Sequence, residues 1–364
     1  MSAPTPKVPP GSSTSSFILD LFAGAGGWEE GLIELGHRAL GIELDATASA
    51  TAEAAGHERL IADLSGLDPH DFEPTWGLIA SPPCQAYSAS GNRGGSRDKQ
   101  LVIACARELA EGRDTRAGHL ESCVDDRSLL TVEPLRFALA LKPRWVAFEQ
   151  VPPVIELWSI FAELLEAHGY QTAVGALSAE RFGVPQVRKR AFLIASLDGP
   201  VKLPRATHRS FDSRRHRILE DEHHLRQWVS VAEALGLGGR SVILRSTHTN
   251  SGKNPGGAPR SVDRPAFTLM CSGGWRFETE KKSRPEGALS PSQFRSRKHF
   301  ERITVEDATI IQGFRPDYPW QGSRTKRFTQ IGNSVCPPVA RHVLREAMRP
   351  SMNRRAALRC EGSR

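Results

Sequence analysis

The chain has 364 residues, 39% hydrophobic and 24% charged, a composition that supports one large or two smaller domains with ample core. No apolar run approaches the ~20 residues of a membrane span. The opening stretch Met1 to Ser16 is Pro, Ser and Thr with one Lys; it lacks the apolar centre of a signal peptide and is expected to be a disordered tail.

The net charge of +7 hides an asymmetry: residues 1–190 carry 17 Lys+Arg against 25 Asp+Glu (net −8), and residues 191–364 carry 31 against 16 (net +15). A strongly basic second half points to a nucleic-acid partner. Arg outnumbers Lys 38 to 10, which suits phosphate and guanine recognition. The six cysteines (84, 105, 123, 271, 336 and 360) form no C-x-x-C pair and no metal-ligand spacing, so reduced thiols and no metal are expected.

Phe17 to Phe22 reads as a short strand, Ala23-Gly-Ala-Gly-Gly27 as a turn, and Trp28 to Leu35 as a helix stopped at Gly36. Strand, glycine turn and helix in that order let a ligand approach the backbone. Further strands are expected at Arg38–Glu43, at Glu58–Ala62 just before Asp63, and at Trp76–Ala80. The last of these runs into Pro82-Pro83, which cannot continue a buried ladder, with Cys84 following at once.

Phe22, Glu43, Asp63 and Cys84 are spaced 21, 20 and 21 apart, the step of consecutive β-α units in a parallel sheet. All four side chains then line one sheet edge. Glu43 is placed to accept hydrogen bonds from ribose hydroxyls. Asp63 suits an adenine amino group, and Phe22 can stack on the base. Those are the parts of an adenosine site. At the next strand end the chain offers a nucleophilic thiol.

Gly91 to Ser96 is polar and glycine-rich, and Ser88–Ser96 is the candidate element to close over a substrate. The charged stretch up to about Thr131 has no clear assignment. Leu129–Leu141 is expected to be helical and Arg144–Phe148 a strand, ending in Glu149-Gln150-Val-Pro-Pro, a second reactive group at the edge that holds Cys84. A helix from about Glu156 to His168 and strands at Tyr170–Leu177 and Ala191–Ser196 follow. On extended chain Arg188 and Arg190 face the same side.

From Leu197 to about Arg302 the apolar periodicity fades, and the stretch reads as a small second lobe with an ordered patch at Asp263–Met270. His208, His216, His223 and His224 are expected on its surface. Ile303–Ile311 is helical, with Thr304 as cap and Asp307 three residues on. Pro337-Pro338 suits the start of a helix running to about Met348, with Arg349 to Arg364 as a basic tail.

Five segments, in this order, resemble the cytosine-C5 DNA methyltransferases of the bacterial modification type, which use S-adenosylmethionine. They are Asp20-Leu-Phe-Ala-Gly-Ala-Gly-Gly27, Pro83-Cys84-Gln85, Glu149-Gln-Val151, Gln186-Val-Arg-Lys-Arg190 and Gly332-Asn-Ser334. The resemblance implies an α/β fold: a Rossmann-like S-adenosylmethionine-dependent methyltransferase sheet with a small, basic target-recognition lobe. The implied division is a tail (1–16), a catalytic and cofactor-binding domain (17–198), the lobe (199–302), a C-terminal segment completing the catalytic domain (303–348) and a basic tail (349–364).

It implies cofactor contacts from Asp20, Phe22, Ala23, Gly24, Gly26, Gly27, Glu43, Leu44, Asp63, Leu64, Pro83, Asn333 and Ser334. Gln85 and Ser88 belong to the substrate loop. The implied catalytic residues are Cys84, Glu149, Arg188 and Arg190. Cys84 adds to C6 of cytosine, Glu149 serves N3 as an acid with a raised pKa in a dry pocket, and the two arginines hold the O2 edge and orient Glu149.

Double-stranded DNA is the implied partner, with the target base flipped out of the helix. A cognate restriction endonuclease is a further partner, and a monomer in the bacterial cytoplasm or nucleoid is expected. The chain departs from the family at Gln150, where Asn is usual. The alternatives are a relative acting on RNA cytosine and a catalytically silent DNA-binding relative.

Overall fold

The computed structural model describes residues 17–85, 87, 94–212, 222–237, 242–246, 260–271, 275–282 and 296–361. The chain divides into two compact units. One comprises Met1–Ser178, Lys189–Arg205 and Ser334–Arg364; the other comprises Ala179–Arg188 and Ala206–Asn333.

The first unit is a mixed α/β body. Its seven strands are β1 (Ile18–Leu21), β2 (Leu40–Glu43), β3 (Glu58–Ile61), β4 (Gly77–Ala80), β5 (Trp145–Gln150), β6 (Gln171–Ser178) and β7 (Lys189–Ser196), in spatial order β3-β2-β1-β4-β5-β7-β6. β1 to β5 pair in parallel, while β7 runs antiparallel to both β5 and β6. The strand order reverses between β1 and β4, and sheets of this kind bind ligands in the crevice outside the strand carboxyl ends at such a reversal. Every residue of β1, β4 and β5 is buried, as expected of strands covered on both faces.

The covering helices are α1 (Gly27–Ile33), α2 (Ala46–Ala54), α3 (Gly94–Ala110), α4 (Arg116–Leu120), α5 (Glu133–Leu141) and α6 (Ile155–Ala167). α6 buries Leu157, Trp158, Phe161 and Leu165 on one stripe. Trp158 packs its ring 6.0 Å from Phe148 of β5 and 5.4 Å from Phe161. α3 and α4 occupy the stretch that had no clear assignment. The single helix expected over Leu129–Leu141 is a 3₁₀ turn, Asp126–Val132, followed by α5, which opens with Pro134 in its first turn.

The second unit holds α7 (Val231–Ala234), a four-stranded sheet, α8 (Val305–Gln312) and α9 (Arg324–Asn333). Its strands β8 (Val242–Ser246), β9 (Arg260–Ser261), β10 (Trp275–Lys282) and β11 (Ser296–Arg302) pair antiparallel in the order β11-β10-β8-β9. Thr304 caps α8 in a reciprocal capping box with Asp307.

His208 corrects the surface assignment. It is buried, hydrogen-bonded through Nδ1 to Thr207 Oγ1 (2.9 Å), and its ring leaves no room for a side chain at Gly183. His223 and His224 are exposed, and His216 lies outside the described residues.

The unit boundaries differ from the expected division. Residues 303–333 belong with the second unit, and so does the short segment 179–188. Within that unit Gln186 Nε2 donates to Gln312 Oε1 (2.8 Å) and to the Ile311 carbonyl (3.2 Å), and Val187 N donates to the Ala266 carbonyl (2.9 Å). The chain returns to the first unit at Ser334. There α10 (Pro337–Glu361) packs on α1: a Cβ at Gly31 would lie 2.7 Å from Arg341 N, and one at Gly27 would lie 2.4 Å from the Val335 carbonyl oxygen.

α10 also absorbs most of the expected basic tail. Arg354 Nη1 donates to Asp198 Oδ1 (2.7 Å), and the Arg355 guanidinium lies 4.2 Å over the Trp76 ring. These side chains dock the helix against the sheet unit. No helix among the described residues is long and apolar enough to cross a membrane.

Candidate active site

The carboxyl edge of the first unit's sheet carries two groups of features, one on each side of the strand-order reversal. On the β1–β3 side, β1 stops at Leu21 because Phe22 takes φ +57°, followed by Gly24 at +56° and Gly26 at +104°. A bulky residue held at positive φ stores strain of order 1–3 kcal/mol and persists only where its surroundings over-determine it.

Those surroundings are visible. Ala23 N donates to the Ile42 carbonyl (3.0 Å), and Gly24 N donates to Glu43 Oε2 (2.8 Å). Glu43 Oε1 accepts from Asp45 N (2.7 Å), so one carboxylate joins the glycine turn to the end of β2. Asp63 caps the next turn, accepting from Ser65 N (3.0 Å) and Ser65 Oγ (2.7 Å).

A Cβ placed on Gly24 would meet nothing within 4 Å, so the backbone is open there to an approaching ligand. Leu44 (65% exposed) and Ile61 (53%) stand uncovered at the same edge, large apolar side chains beside two carboxylates. Open glycine backbone, two acceptor carboxylates and apolar walls fit an adenosine-bearing cofactor.

Asp20 lies differently. It has no exposed surface, and its carboxylate stands against that of Glu29. Burial first, then the neighbouring Glu29 carboxylate, push its pKa well above the ordinary range, and Arg59 opposes the shift.

On the other side, the segment after β4 carries Pro82, Pro83 and Cys84. Trp28 Nε1 anchors its start by donating to Ser81 Oγ (2.8 Å), and Tyr87 N closes a turn on the Cys84 carbonyl (3.0 Å). The ladder registers Leu21 with Ala80 and Ala80 with Phe148, so the residues that follow these positions leave the sheet side by side.

Glu149, 6% exposed, meets Arg190 Nε at 3.1 Å from its Oε1. Gln150 is buried beside it; its Nε2 donates to the Pro82 carbonyl (2.6 Å) and its Oε1 accepts from Val151 N (2.6 Å). One amide therefore ties the strand that carries Glu149 to the segment that carries Cys84. The residue that departs from the family motif makes this connection. Its longer side chain is legible in the sequence, but its partner 68 positions away is not.

Arg188 is buried in the second unit, where Nη2 donates to the Gly332 carbonyl (2.9 Å) and Nη1 to the Leu269 carbonyl (3.5 Å). The chain passes from one unit to the other between Arg188 and Lys189.

Asn333 ends α9 and accepts a hydrogen bond from Cys271 Sγ (2.9 Å), while Ser334 begins the returning segment and is buried. Gln85 is exposed, and Ser88 lies outside the described residues, as does most of the expected closing loop. No group of three or more His, Cys, Asp or Glu among the described residues is arranged to hold a metal ion.

A Rossmann-like sheet with an open glycine turn, a thiol and a carboxylate at one edge is the architecture of a nucleotide-cofactor enzyme. The chain matches the C-5 cytosine-specific DNA methylase family over residues 17–112 and 115–349, and it belongs to that family. It is a DNA cytosine-5-methyltransferase, and membership implies S-adenosylmethionine as methyl donor and DNA as substrate.

The type II methyltransferase M1.HphI of Haemophilus parahaemolyticus is 24% identical over 361 residues, covering 92% of this chain and 87% of that protein. The type II methyltransferase M.DdeI of Desulfomicrobium norvegicum is 28% identical over 397 residues, covering 90% and 87%. The Dnmt2 methyltransferase of S. pombe shares the fold, with a TM-score of 0.57 at 15% identity over 92% of this chain and 99% of that one.

Proposed function

We propose that this enzyme methylates carbon 5 of a cytosine flipped out of a specific double-stranded DNA sequence, through a covalent bond between Cys84 Sγ and C6. The observation that carries this reading is the Gln150 bridge, which joins the Glu149–Arg190 ion pair to the Pro82–Cys84 segment within one compact unit.

Carbon 5 of cytosine is too weak a nucleophile to attack a sulfonium methyl directly. Addition of the Cys84 thiolate at C6 pushes the ring electrons toward C5, which is covalent catalysis. The negative charge that develops on the ring is relieved at N3, where Glu149 hydrogen-bonds or donates a proton. Arg190, ion-paired with Glu149, orients it toward the base.

S-adenosylmethionine, when bound, supplies the electrophilic methyl; loss of the C5 proton to a base and departure of the Cys84 thiolate from C6 then restore the ring. Glu43 and Asp63 are the cofactor's proposed ribose and adenine partners, with Phe22 and Leu44 against the base and Ser334 completing the contacts. Arg188, which donates to the Gly332 carbonyl, is proposed to hold the end of α9 that carries Asn333. The basic strands of the second unit are proposed to supply phosphate and groove contacts. A monomer acting in the cytoplasm, alongside a cognate restriction endonuclease, completes the proposal.

Bisulfite sequencing of plasmid DNA from a methylation-deficient host that expresses the chain tests it. Protected cytosines in one short sequence context are expected, and no protection by folded protein would overturn the DNA reading. Cys84→Ser is expected to lose methyl transfer and to retain DNA binding.

A further inference from the structure

Both turns of the proposed cofactor site are gripped from behind by arginines outside the motifs. Gly24 has its N–H held by Glu43 and its carbonyl held by Arg59 Nη2 (3.2 Å). Arg59 sits on β3 with no side-chain exposure, in a row that runs Asp20–Gly41–Arg59 across three strands. Gly41 makes this possible, because a Cβ there would lie 2.2 Å from Arg59 Nη1. The same Nη1 ion-pairs with Glu29 of α1, so one planar guanidinium spans the helix and the turn.

The second turn repeats the device. Arg136 of α5 donates from Nη2 to the Leu64 carbonyl (3.1 Å) and from Nη1 to the Leu67 carbonyl (2.9 Å), while Nε binds Glu133 Oε2 (2.7 Å). Arg116 reaches the Ser65 carbonyl (3.0 Å) and Glu133 Oε1 (2.6 Å). The acid between the two arginines is itself buried, so it pairs with both guanidiniums.

We propose that Arg59 and Arg136 are positioning residues for the cofactor, each locking the backbone of one contacting turn through its carbonyl oxygens. The inference rests on the reading that these turns hold S-adenosylmethionine. A turn with positive φ at Phe22, Gly24 and Gly26 relaxes unless something over-determines it, and here a buried guanidinium does so. Lysine keeps the charge, but its ammonium lacks the planar fork that reaches helix and turn together.

The test is calorimetric titration of the full-length protein with S-adenosylhomocysteine, for wild type, Arg59→Lys and Arg136→Lys. The control is Arg38→Lys, because Arg38 donates to the Gly56 carbonyl (2.9 Å) before β3, at the opposite sheet edge. Each test variant is expected to bind about tenfold more weakly, the effect of one lost charge-assisted hydrogen bond, with kcat at saturating S-adenosylmethionine within about twofold of wild type. The control keeps wild-type affinity.

Folded Arg59→Lys and Arg136→Lys that bind as tightly as wild type would overturn the inference alone, even if their melting temperatures fall. Wild-type protein that does not bind would overturn the site reading and the inference together. Should Arg59→Lys fail to fold, Arg59→Met combined with Glu29→Gln removes the charge and its partner together, and the same weakening is expected.

Discussion

The two halves of the sheet edge are built in opposite ways. The β1–β3 half uses glycines and positive φ to expose backbone, then relies on side chains from elsewhere to hold that backbone still. The β4–β5 half uses prolines, whose φ is fixed by covalent geometry, and the Gln150 amide ties the segment of Cys84 to the strand of Glu149. Cofactor recognition has to present peptide groups to a ligand. Catalysis has to present two side chains at a fixed separation. Each half carries the local chemistry suited to its task.

The largest expected effect breaks the β4–β5 half alone. Glu149→Gln should lower kcat by ~10²–10⁴-fold, the usual contribution of a positioned acid. The affinity for S-adenosylhomocysteine should stay unchanged, as steady-state kinetics and calorimetry would report. A parallel loss of cofactor affinity would mean that the two halves are not independent.

Gln150→Ala leaves the buried Pro82 carbonyl and Val151 N–H without their partner, each orphaned group costing ~1–3 kcal/mol. It should lower the melting temperature and reduce kcat about tenfold or more, while cofactor affinity again holds. Gln150→Asn, one methylene shorter, cannot span the same gap without movement of the loop. It should fall between wild type and Ala in single-turnover rate.

A smaller effect belongs to the β1–β3 half. The folded pKa of Asp20 is raised, so the folded state holds a proton that the unfolded chain releases above its ordinary value of 3.8. Stability from this group is fully present below that value and declines as pH rises toward the folded pKa, by about 1.4 kcal/mol per pH unit. Asp20→Asn cannot ionise, so its stability should decline less with pH across that window. Urea unfolding as a function of pH would check this, and an unchanged slope would place the titrating proton elsewhere.

The two halves also differ in how legible they are. Phe22, Glu43, Asp63 and Cys84 are found from their regular spacing, because parallel β-α units repeat and bring every strand end to one edge. The Thr304–Asp307 capping box and the proline start of α10 are equally local and follow from the residues alone. Ile61 is missed because an exposed apolar residue at a strand end looks like any other strand residue. Arg59, Arg116 and Arg136 are missed because an arginine in a strand or helix reads as a solvated charge.

What the sequence by itself determined is therefore the order of strands and turns, the chemical groups at their ends, and the membership that follows from five motifs in register. Those depend on short-range periodicity and on residue types whose backbone preferences are local. Only the tertiary structure decided that Arg190 meets Glu149, that the basic residues after Met348 dock a helix, and which carbonyls the buried arginines hold. Each of these depends on partners many positions away along the chain, and a guanidinium's choice between solvent and a backbone carbonyl is made by what the fold packs around it.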